Sequence, residues 1–207
     1  MFDWLRKLLT PSDRGDSHRQ APADDAARPN SVEQDEHTPF ALDQLYVQPD
    51  DTDDFDRDAC QRLIATIAKS GATNVDDVYN IAVSLEDFFD GNRCKHSIAA
   101  NVEPAPPYDT ADSWYELLKH IRAQDGVQDV VVGISMIEPY EDGRVGIWPY
   151  SDTIWVYSSL DQETIASLVA PLEPDEVRDA SLDDPDWDLT PPIPPRDGVR
   201  PYWVWWD

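Results

Sequence analysis

The chain is poor in cysteine, in long apolar runs and in basic residues, and each shortage excludes a class of protein. Only Cys60 and Cys94 occur among 207 residues, too few for a disulfide-stapled secreted domain. No apolar run approaches the roughly 18 residues of a membrane span. The opening MFDWLRKLLTPSD has no uninterrupted apolar segment typical of a signal peptide. We therefore expect a cytoplasmic protein without a membrane span.

The chain also lacks the short motifs that accompany common chemistries. There is no glycine-rich phosphate loop, HExxH, CxxC or GxSxG sequence. Cys94 and His96 lack the further ligands that a zinc site needs. His120 borders an apolar helical stripe, where a histidine at the edge of the core is the expected role. Catalytic carboxylates cannot be singled out among 42 acidic residues. We expect no cofactor and no metal, and the pattern favours a protein that is not an enzyme.

Basic residues number 16 against 42 acidic residues, which gives a formal net charge of −26. From Asp56 onward there are 11 basic and 29 acidic residues, so this part alone carries a net charge of −18. Such a field repels nucleic acid and attracts basic proteins. A basic protein is therefore the expected partner. The alternative is that the acidity serves solubility alone.

The composition changes along the chain and predicts two parts. Residues 1–55 are predicted to hold a short helix at residues 1–10 and a flexible, acidic, proline-rich linker. Within the linker, Pro39–Val47 is apolar enough to lie on the domain as an extended arm. The acidic run Asp50–Asp56 resembles half of a calcium loop but lacks the central Gly and closing Glu, and is interpreted as solvated charge. Residues 56–207 are predicted to form one domain.

Apolar residues at helical spacing predict three helices. The first covers Arg57–Ser70 and ends at Gly71. The second covers Ala111–Gln124, with Thr110 or Asp109 as its N-cap. The third follows Asp161, which is placed to cap it.

The stretch from Val127 to Ser158 is apolar and β-branched and predicts the centre of a sheet. We expect a three-stranded meander here, with a hairpin turn at Asp142-Gly143. Val78–Phe89 alternates as a strand does, although a helix also fits, and Ser97–Val102 is predicted to return antiparallel to it. The final strand carries large apolar groups on both faces, which is typical of an interior strand or a partner contact. The predicted fold is α+β, a mostly antiparallel sheet of about five or six strands packed by about three helices.

Five segments carry a resemblance to a known family. They are FFDGN, IRAQDGVQDVVV, WPYSDTIWVYSS, APLEPDEV and the terminal WVWWD. Through them the chain resembles a widespread family of uncharacterised, acidic bacterial cytoplasmic proteins over about Val78–Asp207. This resemblance implies no catalytic residues. In size, acidity and α+β form the chain also resembles immunity proteins that neutralise polymorphic toxins, without sharing a diagnostic motif.

These features favour a non-enzymatic, acidic protein-binding domain, for example an immunity or antitoxin-type inhibitor of a basic protein. One alternative is an enzyme of unrecognised type with an Asp/Glu-based site, with or without a metal, near Trp148–Asp152. Another is a structural subunit tethered by its N-terminal arm. Under the preferred hypothesis, tryptophans anchor the partner and carboxylates steer it. The predicted partner-binding residues are Trp148, Trp203, Trp205, Trp206, Asp87, Asp90, Asp152, Asp175, Glu176, Asp183 and Asp184.

Overall fold

The computed structural model describes residues 39–50, 55–180 and 189–207. The predicted N-terminal helix, most of the linker, and Asp183 and Asp184 lie outside these ranges. The elements of the described part are β1 (Tyr46–Val47), α1 (Arg57–Lys69), β2 (Ile81–Ser84), α2 (Leu85–Phe89), α3 (Ala111–Arg122), β3 (Val127–Ile134), β4 (Arg144–Val145), β5 (Thr153–Ser158), α4 (Gln162–Val169), β6 (Glu176–Asp179) and β7 (Arg200–Trp205).

Five of these strands form one antiparallel sheet in the order β2-β3-β5-β7-β6. The predicted α+β class is therefore confirmed. The closing strand β7 lies between β5 and β6, which explains why it is apolar on both faces. Trp203 and Trp205 point to one face, while Tyr202, Val204 and Trp206 belong to the core on the other.

The helices cover one face of the sheet because each has a single apolar stripe. The stripe of α1 includes Leu63, Ile64 and Ile67, and that of α3 includes Leu118 and Ile121; all five side chains are at most 1% exposed. They pack in one cluster with the strand residues of that face. The periodicity that predicted α1, α3 and α4 thus marks their buried sides.

The predicted helix caps are also confirmed. The side chains of Thr110 and Asp161 accept hydrogen bonds from the third residues of α3 and α4, at 3.2 and 2.8 Å. Asp56 caps α1 in the same way at 2.8 Å. At the end of α1, Gly71 has a φ of +113°, a conformation that glycine adopts without strain.

A smaller cluster covers the opposite face of the sheet. Trp155, Tyr157 and Trp203 form its aromatic centre, and residues of the proline-rich stretch Leu189–Val199 pack on it. The same stretch bonds to the outer edge of β2, where the Ala82 N–H donates to the Thr190 carbonyl at 2.8 Å. Both faces of the sheet are therefore covered within the described residues.

The predicted three-stranded meander is wrong in its middle strand. β3 pairs directly with β5, and β4 instead pairs in parallel with β1 in a separate two-stranded sheet. The turn at Gly143 does form, since its N–H donates to the Tyr140 carbonyl at 2.9 Å. However, the turn belongs to a connection, Ser135–Asp152, that leaves the main sheet. Local alternation identifies strands but not their partners.

Three further differences concern short segments. Ser97–Val102 is not a strand, because the chain turns at residues 95–97 and Ala99 has a φ of +47°. Val78–Phe89 contains both predicted patterns in succession, with Ser84 ending β2 and capping α2. Finally, Glu176–Asp179 is an edge strand that its acidity concealed.

The structure predicts a large loss of stability for Leu118→Ala, because this side chain is fully buried in the main core. Removing it leaves a cavity, and we expect a loss of about 3 kcal/mol in the free energy of unfolding. Chemical denaturation measures it. Glu116→Ala, on the exposed side of the same helix, is the control and is expected to cost under about 0.5 kcal/mol. Equal losses in the two variants would contradict the assigned faces of α3.

Candidate protein-binding surface

Two of the tryptophans predicted as anchors lie inside the core. Trp148 and Trp206 are 2% and 1% exposed. The Trp148 ring contacts Phe55 edge-to-face at a centroid distance of 5.6 Å. Trp206 packs against Trp114 at 5.1 Å and donates its indole N–H to the Leu172 carbonyl at 2.8 Å. Burial leaves these two side chains no surface to offer, so they stabilise the fold instead.

Trp203 and Trp205 stack on the opposite face, with centroids 5.6 Å apart. Trp203 is only 5% exposed, and Trp205 is half-buried. The sheet register places Arg178 opposite Trp203 and Glu176 opposite Trp205. Arg178 donates two hydrogen bonds to Glu176, at 3.0 and 2.8 Å. The structure thus brings together three predicted site residues, Trp203, Trp205 and Glu176. They contact one another or Arg178 rather than projecting freely from the surface.

The other predicted carboxylates have local partners on separate elements. Asp87 accepts a bond from the Ser84 hydroxyl at 2.7 Å, at the start of α2. Asp175 accepts from the backbone of Asp207 at 2.9 Å. Burial and then a hydrogen bond to Asp90 raise the pKa of Tyr115 to about 12. A role for these acids in partner binding stays a prediction.

Exposed apolar side chains identify a different surface. Among the described residues, the exposed large apolar side chains are Tyr46, Tyr79, Met136 and Tyr140, at 40%, 60%, 39% and 45%. All four lie in or beside the connection Ser135–Asp152. A cluster of exposed aromatic and methionine side chains is typical of protein interfaces.

Tyr79 and Met136 lie at the start of this connection. The N–H of Asn80 donates to the Ile134 carbonyl at 2.9 Å. Tyr79 precedes Asn80 and Met136 follows Ile134 by two residues, so this bond makes the two residues neighbours. Asp152, at the other end of the connection, is close enough to contribute, after burial, to a raised pKa of Tyr79. Asp152 itself accepts bonds from the hydroxyls of Ser135 and Thr153, at 2.5 and 2.8 Å.

Tyr46 and Tyr140 flank a polar cavity farther along the connection. Its volume is about 430 Å³. Arg144 donates to Asp50 at 2.5 Å, and its guanidinium lies 3.9 Å from the ring centroid of Tyr140. The Tyr140 hydroxyl donates to Asp50, and the Tyr46 hydroxyl to Asp142 at 2.8 Å. The cavity is lined by Tyr46, Gln48, Pro49, Asp50, Asp142 and Arg144.

These contacts set the charges around the cavity. Hydrogen bonds from Arg144 and then from Tyr140 lower the pKa of Asp50. The Arg144 backbone N–H and then the Tyr46 hydroxyl lower the pKa of Asp142. The same bonds raise the pKa of each tyrosine. At neutral pH the lining thus holds two carboxylates, one guanidinium and one neutral phenol, and its net charge is negative.

We give the name connection surface to the four exposed apolar side chains together with three exposed carboxylates and one half-buried carboxylate of the connection. Its apolar members are Tyr46, Tyr79, Met136 and Tyr140, and its acidic members are Glu138, Glu141, Asp142 and Asp152. Of the predicted site residues, only Asp152 belongs to it. The four apolar members were missed because single tyrosines and a methionine leave no periodic pattern, and only the fold places them in or beside the connection.

The remaining chemistry of the described residues is sparse. Burial, and then the neighbouring Cys94, raise the pKa of Cys60 to about 12, so this thiol stays protonated at neutral pH. Within residues 39–50, 55–180 and 189–207, no group of three or more His, Cys, Asp or Glu is placed to hold a metal ion. Nor does any helix of those ranges have the length and apolar character needed to cross a membrane.

The cavity predicts a measurable pKa change on substitution. Since Arg144 is the largest cause that lowers the pKa of Asp50, Arg144→Gln should raise it towards the ordinary value. A folded-state pKa below the unfolded value stabilises the protein above the unfolded pKa, and this stability is lost as pH falls through the folded pKa. The variant should therefore lose less stability on acidification. NMR titration of the side-chain carboxyl measures the shift, with the exposed Arg196→Gln as control. An unchanged Asp50 pKa would show that the ion pair does not form.

Comparison with known proteins gives a family without an assigned activity. The chain is 29% identical over 150 residues to the uncharacterized protein YfbO of Escherichia coli (strain K12), an alignment that covers 71% of this chain and 97% of that relative. No solved structure matches the chain. Residues 58–204 match the family described as the uncharacterized protein YfbO family. Because this match spans well over half of the sequence, the chain belongs to the uncharacterized protein YfbO family.

Proposed function

We propose that this protein is a non-catalytic binding domain that takes a basic protein partner on its connection surface. The observation that carries the proposal is that the four exposed apolar side chains lie in or beside the connection Ser135–Asp152, which also carries four carboxylates. Interfaces are enriched in tyrosine and methionine, and a few such residues supply most of the binding energy. The carboxylates add acceptors for lysine and arginine side chains.

The charge of the chain supports a basic partner over a neutral one. A net charge of −26 gives a long-range attraction for cations. Such a field mainly speeds encounter, and contacts at the surface then hold the complex. Within this proposal, an immunity or antitoxin-type inhibitor acting in the cytoplasm is the specific form that the acidity favours.

The strand edges support binding through side chains. The outer edge of β2 is bonded to Thr190. At the outer edge of β6, the Gln162 side chain donates to the Val177 carbonyl at 2.9 Å. Edges covered in this way resist addition of a partner strand. Side chains of the connection surface are therefore the better point of attachment for a folded partner.

The anchors can be tested with Tyr79→Ala/Met136→Ala. Both side chains are largely exposed, so the double variant should keep the melting temperature of the wild type while losing its partner. Wild-type and variant protein are each immobilised and exposed to lysate of the source organism, and retained proteins are quantified by mass spectrometry. We expect a basic protein whose recovery falls about tenfold or more, the loss typical of interface anchors. A retained set identical for both proteins would refute the tyrosine and methionine anchors.

The charges can be tested by a matched pair of variants. Glu138→Gln/Glu141→Gln removes two charges from the connection surface, and Glu163→Gln/Glu173→Gln removes two exposed charges elsewhere. The two variants have the same net charge, so they differ only in the position of the removed charges. We expect the first variant to bind the captured partner several-fold more weakly and with less salt dependence, because local carboxylates contact the partner. Equal effects of both variants would assign the binding to the general field and overturn the proposed surface.

A further inference from the structure

Residues 39–50, which we call the arm, lie in a groove on the rest of the domain. Pro39–Val47 was predicted to lie there as an extended arm, but Leu42–Gln44 form a turn of 3-10 helix within it. The groove lies between α1, the turn at Thr73–Val75 and β4. Within it, Leu42, Leu45 and Val47 are 3%, 5% and 0% exposed and belong to the main core. The arm is thus anchored by apolar side chains at fixed spacing.

The backbone of the arm is bonded along most of its length. Leu42 N–H donates to the Thr73 carbonyl at 3.1 Å. The N–H groups of Tyr46, Gln48 and Asp50 then donate to successive acceptors of the β4 segment at 3.2, 3.0 and 3.0 Å. Bonds from alternate residues to a neighbouring strand are the pattern by which an extended peptide adds to a sheet. Backbone pairing of this kind does not depend on the identity of the outward side chains.

The groove ends in a site shaped for a carboxylate. Arg144 and Tyr140 both donate to Asp50. Gly146 lies beneath it, and a Cβ at this position would come within 2.8 Å of both Asp50 oxygens and 2.7 Å of the Tyr140 ring. A larger residue here would have to displace the carboxylate and the ring, so glycine leaves room for an acidic side chain at the end of the groove.

The residues that match the family include the walls of the groove but not the arm. The walls, from Thr73 to Gly146, lie within residues 58–204, which match the family. The arm lies before residue 58 and outside the match. The family-matched part therefore supplies a complete receptor for an extended segment, and the preceding residues of this chain supply the segment.

We propose that this groove is a peptide-docking site that the arm occupies in cis. The partner it fits is a segment of another protein that turns at the positions of Leu42–Gln44 and is extended after them. It has apolar residues at the positions of Leu42, Leu45 and Val47 and a carboxylate at that of Asp50. Because the arm is joined to α1 by a short link, its effective concentration is on the order of millimolar. A partner segment must therefore displace it, and the arm acts as a built-in competitor.

The test uses the full chain with a protease site inserted between Asp50 and Phe55. After cleavage, a labelled peptide of residues 39–50 is added and its binding is followed by fluorescence anisotropy. We expect saturable exchange of the arm for the labelled peptide. A peptide with Asp50→Asn should bind about tenfold more weakly, since it loses a charge-assisted bond. With Arg144→Gln in the cleaved chain, the difference between the two peptides should become several-fold smaller, because only the Tyr140 hydroxyl still donates to the carboxylate.

Several outcomes would overturn the docking site. Loss of the folded far-ultraviolet circular dichroism signal on cleavage would make the arm an inseparable part of the core. Absence of exchange in a folded, cleaved chain would show that the groove does not bind a free peptide. Equal binding of a scrambled peptide would show that the groove does not recognise the sequence of the arm. Dimers of the uncut chain that dissociate on adding the peptide would assign the groove to a second copy. None of these measurements involves a basic partner, so failure here leaves the proposed function untouched.

Discussion

The direct pairing of β3 with β5 is the constraint on which the rest of the structure depends. Six residue pairs join the two strands at the centre of the sheet. Since they are neighbours, the residues that connect them, Ser135–Asp152, do not form a strand between them. The connection turns away, pairs with the arm through β4, and exposes Met136 and Tyr140. The connection surface and the groove that holds the arm thus both depend on the pairing of β3 with β5.

The shortage of basic residues also shapes the surface. Four arginines of the described residues pair with carboxylates, in the pairs Arg122–Glu86, Arg144–Asp50, Arg178–Glu176 and Arg200–Asp179. From Asp56 onward, 29 acidic residues face only 11 basic ones. Most carboxylates therefore have no basic partner within this part of the chain. Exposed ion pairs add little stability, so the missing pairs themselves cost the fold little. The excess negative charge repels itself and produces a strong external field.

Local signals explain which features the sequence predicts. The helices were predictable because the capping residue and the apolar stripe of a helix are both encoded within a few residues. Thr110 and Asp161 are examples of such capping residues. The partner of β4 was not, because strand pairing depends on segments far apart in the chain. Trp206 was predicted as a surface anchor although it is buried, since a terminal aromatic strand has the same pattern in a core and at an interface. Trp148 is also buried, and its contact with Phe55 is not indicated by any local pattern. The role of Gly146 depends on a contact with Asp50, which no local pattern indicates.

The arm and the connection surface share residues, and this links the two proposed binding events. Tyr46 belongs to the arm, and its hydroxyl donates to Asp142 of the connection. Displacing the arm would carry Tyr46 away and free Arg144 from Asp50, which makes the remaining surface less acidic and less apolar. A segment docked in the groove would restore the carboxylate but not necessarily the tyrosine. Because coupling between two sites is reciprocal, a basic partner that contacts Tyr46 would in turn hold the arm in place.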